Sequence, residues 1–445
     1  MTKPSLALLA TAVTLVAWHC APGEQQPAPT QSACVGPASL QPLFSEAVSK
    51  SAELAALQAR IKAAEAMFAP AKALPDPMAS VGLVDIPVHH GIRLNQDTMS
   101  GFEVMLSQDV PRSQKRRLSG QIQSSEALML RARYHDRRNN LIKSVKQAYF
   151  ELQYLDEAIN ITEQNKTLAQ DMQEAAEAQY STGKGMLQDV FQAQVRLSQM
   201  IDMLLDLRQQ RATAASRLNK LLYRPQAEPV PEVAALQQTP LLLDVGGLTD
   251  LALSASPQLQ EMRVKEQQQQ TRVQLARQEI RPDYRFEFRY MVRQKVEMDP
   301  MSGTDMWSAI VGINLPWVYR RERADQDVKA AQAEQSAASQ EVAAMRNELA
   351  QMIEGMVLEI RRADQQISLI DTALLPQAEG ALASSRTSYE TGQLPFVSML
   401  DNQMNLYNQQ VRRIELLQER EKNAAELEYL VGGALPCPEV PGGGT

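Results

Sequence analysis

The sequence repeats itself, and this repetition limits the folds that the chain can adopt more than any other feature. The segment YSTGKGMLQDVFQAQVRL begins at Tyr180, and YETGQLPFVSMLDNQMNL begins at Tyr389. Their alignment places Gly183 on Gly392, and the correspondence continues far upstream of both segments. Duplicated sequence in one order indicates duplicated supersecondary structure, so we predict two copies of one structural unit.

Segments rich in proline, glycine and small polar residues delimit the two copies. Such composition marks connections and termini, because it cannot bury enough apolar surface to form a core. The expected organisation is a signal peptide (1–20), a flexible leader (21–42), the first repeat (43–224), a Pro-rich connector (225–248), the second repeat (249–433) and a C-terminal tail (434–445).

The first residues are typical of export. An apolar run from Ser5 to Trp18 follows one lysine, and it is shorter than the roughly 20 residues of a bilayer-spanning helix. Cys20 comes directly after the run, a position that favours lipid attachment, although His19 stands where lipoprotein signals usually have a small residue. Cys34 and Cys437 flank the repeats and could form a disulfide in an oxidising compartment.

Long helices account for most of each copy. No proline occurs between Arg112 and Arg224, and apolar residues recur at steps of three and four, as in coiled coils. A helix from 112 to about 180 would be about 100 Å long. Shorter helices over 44–73 and 250–280 open the two copies. The predicted seam positions are Ile142, Val145, Tyr149, Leu152, Ile159, Leu187, Val190, Gln194, Leu197, Ile201 and Leu204, and in the second copy Phe396, Met399, Gln403 and Leu406.

The repeated Thr-Gly pair predicts a tight turn between two long helices in each copy. Gly183 and Gly392 can adopt the positive φ that such turns require at no steric penalty. Each copy therefore contains a long helical hairpin, with the Thr-Gly pair at its tip.

Two segments in each copy alternate with a period of two, which predicts strands. In YRFEFRYMV, from Tyr284 to Val292, one face is aromatic and apolar and the other is charged. In an exported protein, strands of this length and pattern are typical of outer-membrane barrels. Four strands are too few to close a barrel, so copies must associate: two chains would give eight strands and three would give twelve.

With these features the chain resembles the TolC-type outer-membrane efflux factors. The resemblance rests on the tandem repeat, the strand pairs, the tips YSTGKG and YETGQL, and the motifs LPDP, SQDVP and LLPQAE. It implies a mainly α fold with a small β part, in which a homotrimer forms an α-helical tunnel across the periplasm and a shared 12-stranded barrel in outer-membrane lipid. It also implies a periplasmic adaptor and an inner-membrane pump of the RND type as partners, and no cofactor.

The resemblance further implies roles for particular residues. The tips would meet the adaptor, and a ring of acidic residues just beyond them would narrow the periplasmic end. The tip positions are Thr182, Gly183, Lys184, Thr391, Gly392, Gln393 and Leu394, and the gate positions are Asp189, Ser398 and Asp401. Ser398 replaces one of the family's usual acids, which weakens the expectation of a strong cation gate.

Some motifs look more like the heavy-metal branch of this family than the multidrug branch. His89, His90, Met99, Met298, Met301 and Met306 are expected in loops between paired strands, and methionine and histidine suit soft copper ions. The simpler interpretation is an exposed loop in a chain with 20 methionines, so we predict no metal site there. The exported substrate stays open.

Other classes of function have less support. A net charge of −7 and a pI near 5.4 argue against nucleic-acid binding. The four histidines show no metal-binding spacing, and no phosphate loop or nucleophile motif is present, so an enzyme is not expected. A periplasmic adaptor or a helical scaffold of an export system is the main alternative, although an adaptor carries one helical hairpin and this chain predicts two.

Overall fold

The computed structural model of the chain describes residues 40–86, 99–230, 233, 235–242, 244–295, 303–319 and 321–435. Several predicted features lie outside these residues: the signal peptide, the lipidation candidate Cys20, the pair Cys34 and Cys437, and the loop residues His89, His90, Met298 and Met301. Met306 is described, and it is the first residue of a strand, so its predicted placement in a loop is wrong.

The described residues form a mainly helical chain with one small sheet, which confirms the predicted fold class. The elements in order are α1 (Leu40–Lys50), α2 (Ala52–Ala66), α3 (Phe68–Lys72), β1 (Met78–Val84), β2 (Gly101–Val110), α4 (Ser113–Ser181), α5 (Leu187–Leu221), α6 (Val245–Ala255), α7 (Pro257–Glu279), β3 (Tyr284–Arg293), β4 (Met306–Ile313), α8 (Pro316–Tyr319), α9 (Arg321–Leu369), α10 (Leu375–Glu390) and α11 (Phe396–Val431). No described helix is both long enough and apolar enough to cross a bilayer.

The helix that opens each copy is broken, which corrects the prediction of single helices over 44–73 and 250–280. Ser51 separates α1 from α2 in an extended conformation, and its hydroxyl accepts a hydrogen bond from the Leu54 N–H at 3.3 Å. Ser256 separates α6 from α7, and it is extended because Pro257 follows it. The two serines occupy corresponding positions in the repeat, so the break is itself duplicated.

The two long hairpins differ in one respect. Helix α4 runs for 69 residues without interruption, about 100 Å, as predicted. The equivalent helix of the second copy is interrupted by a π-helical turn at Ile370–Leu374 before α10 begins. Pro376 lies at the start of α10, and since proline lacks an N–H and its ring clashes with the preceding turn, the wider turn accommodates it.

Neighbouring helices pack in the order α5, α4, α11 and α9. The predicted seam on α11 is confirmed, because all four of its residues are at most 8% exposed. On the first hairpin the seam is shifted at three positions, where Ala158, Ala193 and Met200 are buried in place of the predicted Ile159, Gln194 and Ile201. The prediction is also wrong for Leu187, which is 46% exposed. Helix α5 carries apolar residues in two adjacent stripes, and α4 covers only one of them.

The four described strands form one antiparallel sheet in the order β1, β2, β3, β4. The central pair, β2 with β3, joins the two copies, with Phe102 opposite Val292 and Val110 opposite Tyr284. The outer edges of β1 and β4 have no partner strand within the described chain.

The sheet has the exposure pattern of a membrane protein. Large apolar residues on one face are exposed: Trp307 by 69%, Val311 by 65% and Phe288 by 48%. On the other face, residues such as Glu287 and Arg289 are only half-buried. In a water-soluble sheet the apolar face would be the covered one.

The connector is attached to the helices. Thr239 donates from its N–H and its hydroxyl to the Glu421 carboxylate, at 3.0 and 2.7 Å. Arg420, only 2% exposed, donates to the Thr239 carbonyl and to Asp364, both at 2.6 Å. Contacts between side chains and backbone therefore hold this part of the Pro-rich segment against α9 and α11.

Candidate functional site

Both tips have the same backbone turn. Helix α4 ends at Ser181, and Gly183 follows with φ of 73°; α10 ends at Glu390, and Gly392 has φ of 71°. The Gly183 N–H donates to the Tyr180 carbonyl at 2.9 Å, and the Gly392 N–H donates to the Tyr389 carbonyl at the same distance. The predicted positive φ at both glycines is confirmed.

The threonines stabilise the same turns. The Thr182 hydroxyl donates to the Gln179 carbonyl at 3.0 Å, and the Thr391 hydroxyl donates to the carbonyls of Thr387 and Ser388 at 3.1 Å. The same carbonyls also accept backbone N–H bonds within each turn, so the hydroxyls reinforce contacts that the backbone already makes. The Thr-Gly pair is therefore repeated because both of its residues form the turn.

The residues around the Thr-Gly pairs project from the protein. Thr182, Gly183, Lys184, Thr391, Gly392 and Gln393 are exposed, and Leu394 is half-buried. Because the two tips differ after the glycine, one offers an ammonium group and the other an amide and an apolar side chain.

The tyrosine that begins each motif is buried in one copy and exposed in the other. Tyr389 is 8% exposed, and its ring centroid lies 5.1 Å from that of Phe396, inside a cluster that joins both hairpins. Tyr180 is 48% exposed, and Met186 beside it is 69% exposed. The second tip is therefore anchored in a core, and the first tip presents apolar surface.

That apolar surface continues along α5 into a groove between α5 and α11. Leu187, Phe191 and Val195 follow one another at steps of four, and each is at least 46% exposed. The groove is lined by Leu187, Gln188, Phe191, Gln192, Val195, Arg196, Gln199, Val397, Leu400 and Asp401. This surface was not predicted, because Leu187 was assigned to the buried seam. The four-residue step from Leu187 to Phe191 and Val195 is the signal that indicates it.

The three predicted gate positions are placed differently from one another. Asp189 lies in the first turn of α5, where its carboxylate accepts from the Met186 N–H at 3.5 Å. Burial, and secondarily the Asp189 charge, raise the pKa of the Tyr389 hydroxyl above its ordinary value. Asp401 is exposed in the groove, whereas Ser398 is half-buried in the first turn of α11 and does not line it.

The family assignment rests on most of the chain. Residues 43–222 and 248–433 match the model of a family described as outer membrane efflux protein. The chain belongs to this outer membrane efflux protein family. It is therefore a protein of the outer membrane that serves efflux, as the sequence predicted, and the family is one of channels rather than of enzymes. A search of curated protein sequences gave no match.

Solved structures of outer-membrane proteins share the fold of this efflux protein. VceC of Vibrio cholerae matches with a TM-score of 0.74 and 19% identity over 89% of this chain and 97% of its own. CusC matches with a TM-score of 0.73 and 18% identity over 93% of this chain and 100% of its own. The open MtrE channel of Neisseria gonorrhoeae matches with a TM-score of 0.71 and 17% identity over 88% of this chain and 89% of its own. Nothing in these matches favours the adaptor or scaffold alternative.

Proposed function

We propose that three copies of the chain form one passive exit duct, which receives substrate from an inner-membrane pump of the RND type through a periplasmic adaptor. The observation that carries this proposal is the sheet, whose apolar face is exposed and whose two edges are open. In hydrocarbon each unpaired backbone group costs several kcal/mol, so β1 of one copy must pair with β4 of another.

The number of copies follows from the width that a duct needs. Two copies would give eight strands, and a barrel of about eight strands is only wide enough to be filled by its own side chains. Three copies give twelve strands and leave a passage. Helices at both flanks of the chain support this closure, since Leu205 on α5 and Leu358 on α9 are 59% and 57% exposed and would be buried against the next copy.

A trimer would present six tips of two kinds to its adaptor. The tip residues that differ are Lys184 in the first copy and Gln393 with Leu394 in the second. A sixfold ring of adaptor hairpins could therefore distinguish the two kinds of tip by charge. Both glycines face open space, since a Cβ added at Gly183 or Gly392 would meet no heavy atom within 4 Å.

We expect Gly183→Val and Gly392→Val to reduce export strongly while the trimer persists. A β-branched residue at this positive φ is strained by about 1–2 kcal/mol, which distorts the exposed turn without disturbing the buried core. Export can be measured in cells, and assembly by gel filtration. Gly→Asn at the same positions is the matched control, because asparagine tolerates positive φ. Loss of the trimer in both valine variants would assign the tips to folding instead of docking.

Conductance tests the proposed function directly. The purified mature protein should require detergent, run as a trimer and open discrete ion-conducting steps in planar bilayers. A water-soluble, monomeric and non-conducting preparation would contradict the proposal.

We expect Asp401→Ala to lower the cation-over-anion permeability ratio about twofold, because three carboxylates would leave the periplasmic end of the duct. Reversal potentials in asymmetric salt measure this ratio. Asp171→Ala is the control, since Asp171 lines a different cleft, between α4 and α10. An unchanged ratio in the Asp401 variant would remove this residue from the gate.

A further inference from the structure

A cleft separates α4 from α10 close to the tips. The two helices both pack on α11 and hardly contact each other, which leaves an opening of about 490 Å³ between them over α11. Clefts that bind small organic molecules typically have volumes of about 300–1,000 Å³. The space is therefore sufficient for one such molecule, with residues of both hairpins around it.

The floor of the cleft is largely apolar. Met172 on α4 and Met399 on α11 line it, and both are buried in the cluster that joins the two hairpins. Leu406 is also buried, and Leu168 and Leu382 are half-buried beside it. Methionine side chains are flexible and adapt to irregular surfaces. An apolar group of a ligand can therefore replace water over this floor.

The charged residues of the cleft carry an excess of negative charge. Its lining contains three carboxylates and one guanidinium, and the Nε of that guanidinium, on Arg386, donates to Glu390 at 3.4 Å. Asp171 on α4 and Glu379 on α10 are exposed, and neither forms an ion pair or a side-chain hydrogen bond with another residue that the structure describes. The cleft therefore offers two negative charges that no described group neutralises.

We propose that this cleft binds an organic cation with an apolar body, such as an arylalkyl ammonium ion. The apolar body covers the floor, and the cationic group approaches Asp171 or Glu379. An anion of the same shape is repelled by both carboxylates. Because the ligand contacts α4 and α10 together, it stabilises the packing of the two hairpins near the tips. One chain forms the whole cleft, so the proposal does not depend on the proposed duct.

Phenylpropyl-trimethylammonium is the probe, because it joins one permanent positive charge to a small apolar body. Isothermal titration of the purified protein in a non-ionic detergent should show one site per chain, after subtraction of a titration into detergent alone. Saturating probe should also raise the unfolding midpoint of the wild type. Phenylbutanoate has a similar apolar body and a negative charge, and it should not bind.

Two variants test the charges and the space separately. Asp171→Asn combined with Glu379→Gln should weaken binding about tenfold, because two exposed ion pairs with the probe are lost. Ala383→Trp keeps both carboxylates but fills the cleft from the exposed wall of α10, so it should abolish binding. Glu174→Gln combined with Asp206→Asn is the matched control. It removes the same charge from exposed positions outside the cleft and should bind like the wild type.

Three results would overturn the proposal. Equal affinity in the wild type and the Ala383→Trp variant would place the probe elsewhere on the protein. Equal affinity for phenylbutanoate, or in the variant without Asp171 and Glu379, would mean that the two carboxylates do not select the ligand. Absence of binding to the wild type would mean that a neighbouring copy or a partner covers the cleft.

Discussion

Val311→Arg is expected to prevent assembly in the outer membrane, whereas Ile310→Arg is expected to assemble normally. Val311 lies on the apolar face of β4 opposite Phe286 and is 65% exposed. An arginine on the lipid face of a membrane barrel costs about 2 kcal/mol or more per chain, and each trimer would contain three.

Ile310 is a close control, since it is the preceding residue and receives the same substitution. It lies on the polar face opposite Glu287, where a guanidinium gains an acidic neighbour. Membrane fractionation and the trimer band on mildly denaturing gels would measure assembly of both variants. Equal assembly of the two would show that the exposed apolar face does not contact lipid.

Arg420→Ala is expected to destabilise the folded chain by about 3–5 kcal/mol, because it leaves a buried carboxylate without its cation. Arg420 and Glu421 are 2% and 3% exposed and form an ion pair, and Arg420 also binds Asp364 on α9. The loss should release the connector, since Arg420 and Glu421 are the groups that hold Thr239.

Arg413→Ala provides the comparison on the same helix. Arg413 pairs with Asp371, but both side chains are more than a third exposed. An exposed pair contributes about 0–1 kcal/mol, so this variant should unfold close to the wild type. Guanidinium unfolding followed by far-UV circular dichroism compares the two variants. Similar midpoints for both would mean that the buried pair does not hold the connector in place.

Features that depend on short stretches of sequence were predictable. The uninterrupted α4 follows from a long run without proline, and the turns at Gly183 and Gly392 follow from a residue that alone adopts positive φ freely. The seam of α11 follows from a single apolar stripe. On α5 the sequence contains two apolar stripes, and which of them is buried depends on how α4 packs against the helix.

The groove beside Asp401 escaped prediction for a related reason. Its walls come from α5 and α11, which are distant in sequence. Arg196 also lines the groove, although it lies outside the apolar stripes that the periodicity identifies. The buried pair Arg420 and Glu421 lies in the stretch 418–422, where most residues are charged, a composition that by itself favours exposure. Its burial depends on the connector folding back over it.

By itself, the sequence determined the duplicated unit, the long hairpins, the tip turns and the alternating strands, because each of these depends on local backbone preference or periodicity. Only the tertiary structure decided that β2 pairs with β3 across the two copies. It also buried Tyr389 and exposed Tyr180, although one motif encodes both. Pairing and burial depend on residues distant in sequence, so equal local sequence can acquire unequal surroundings.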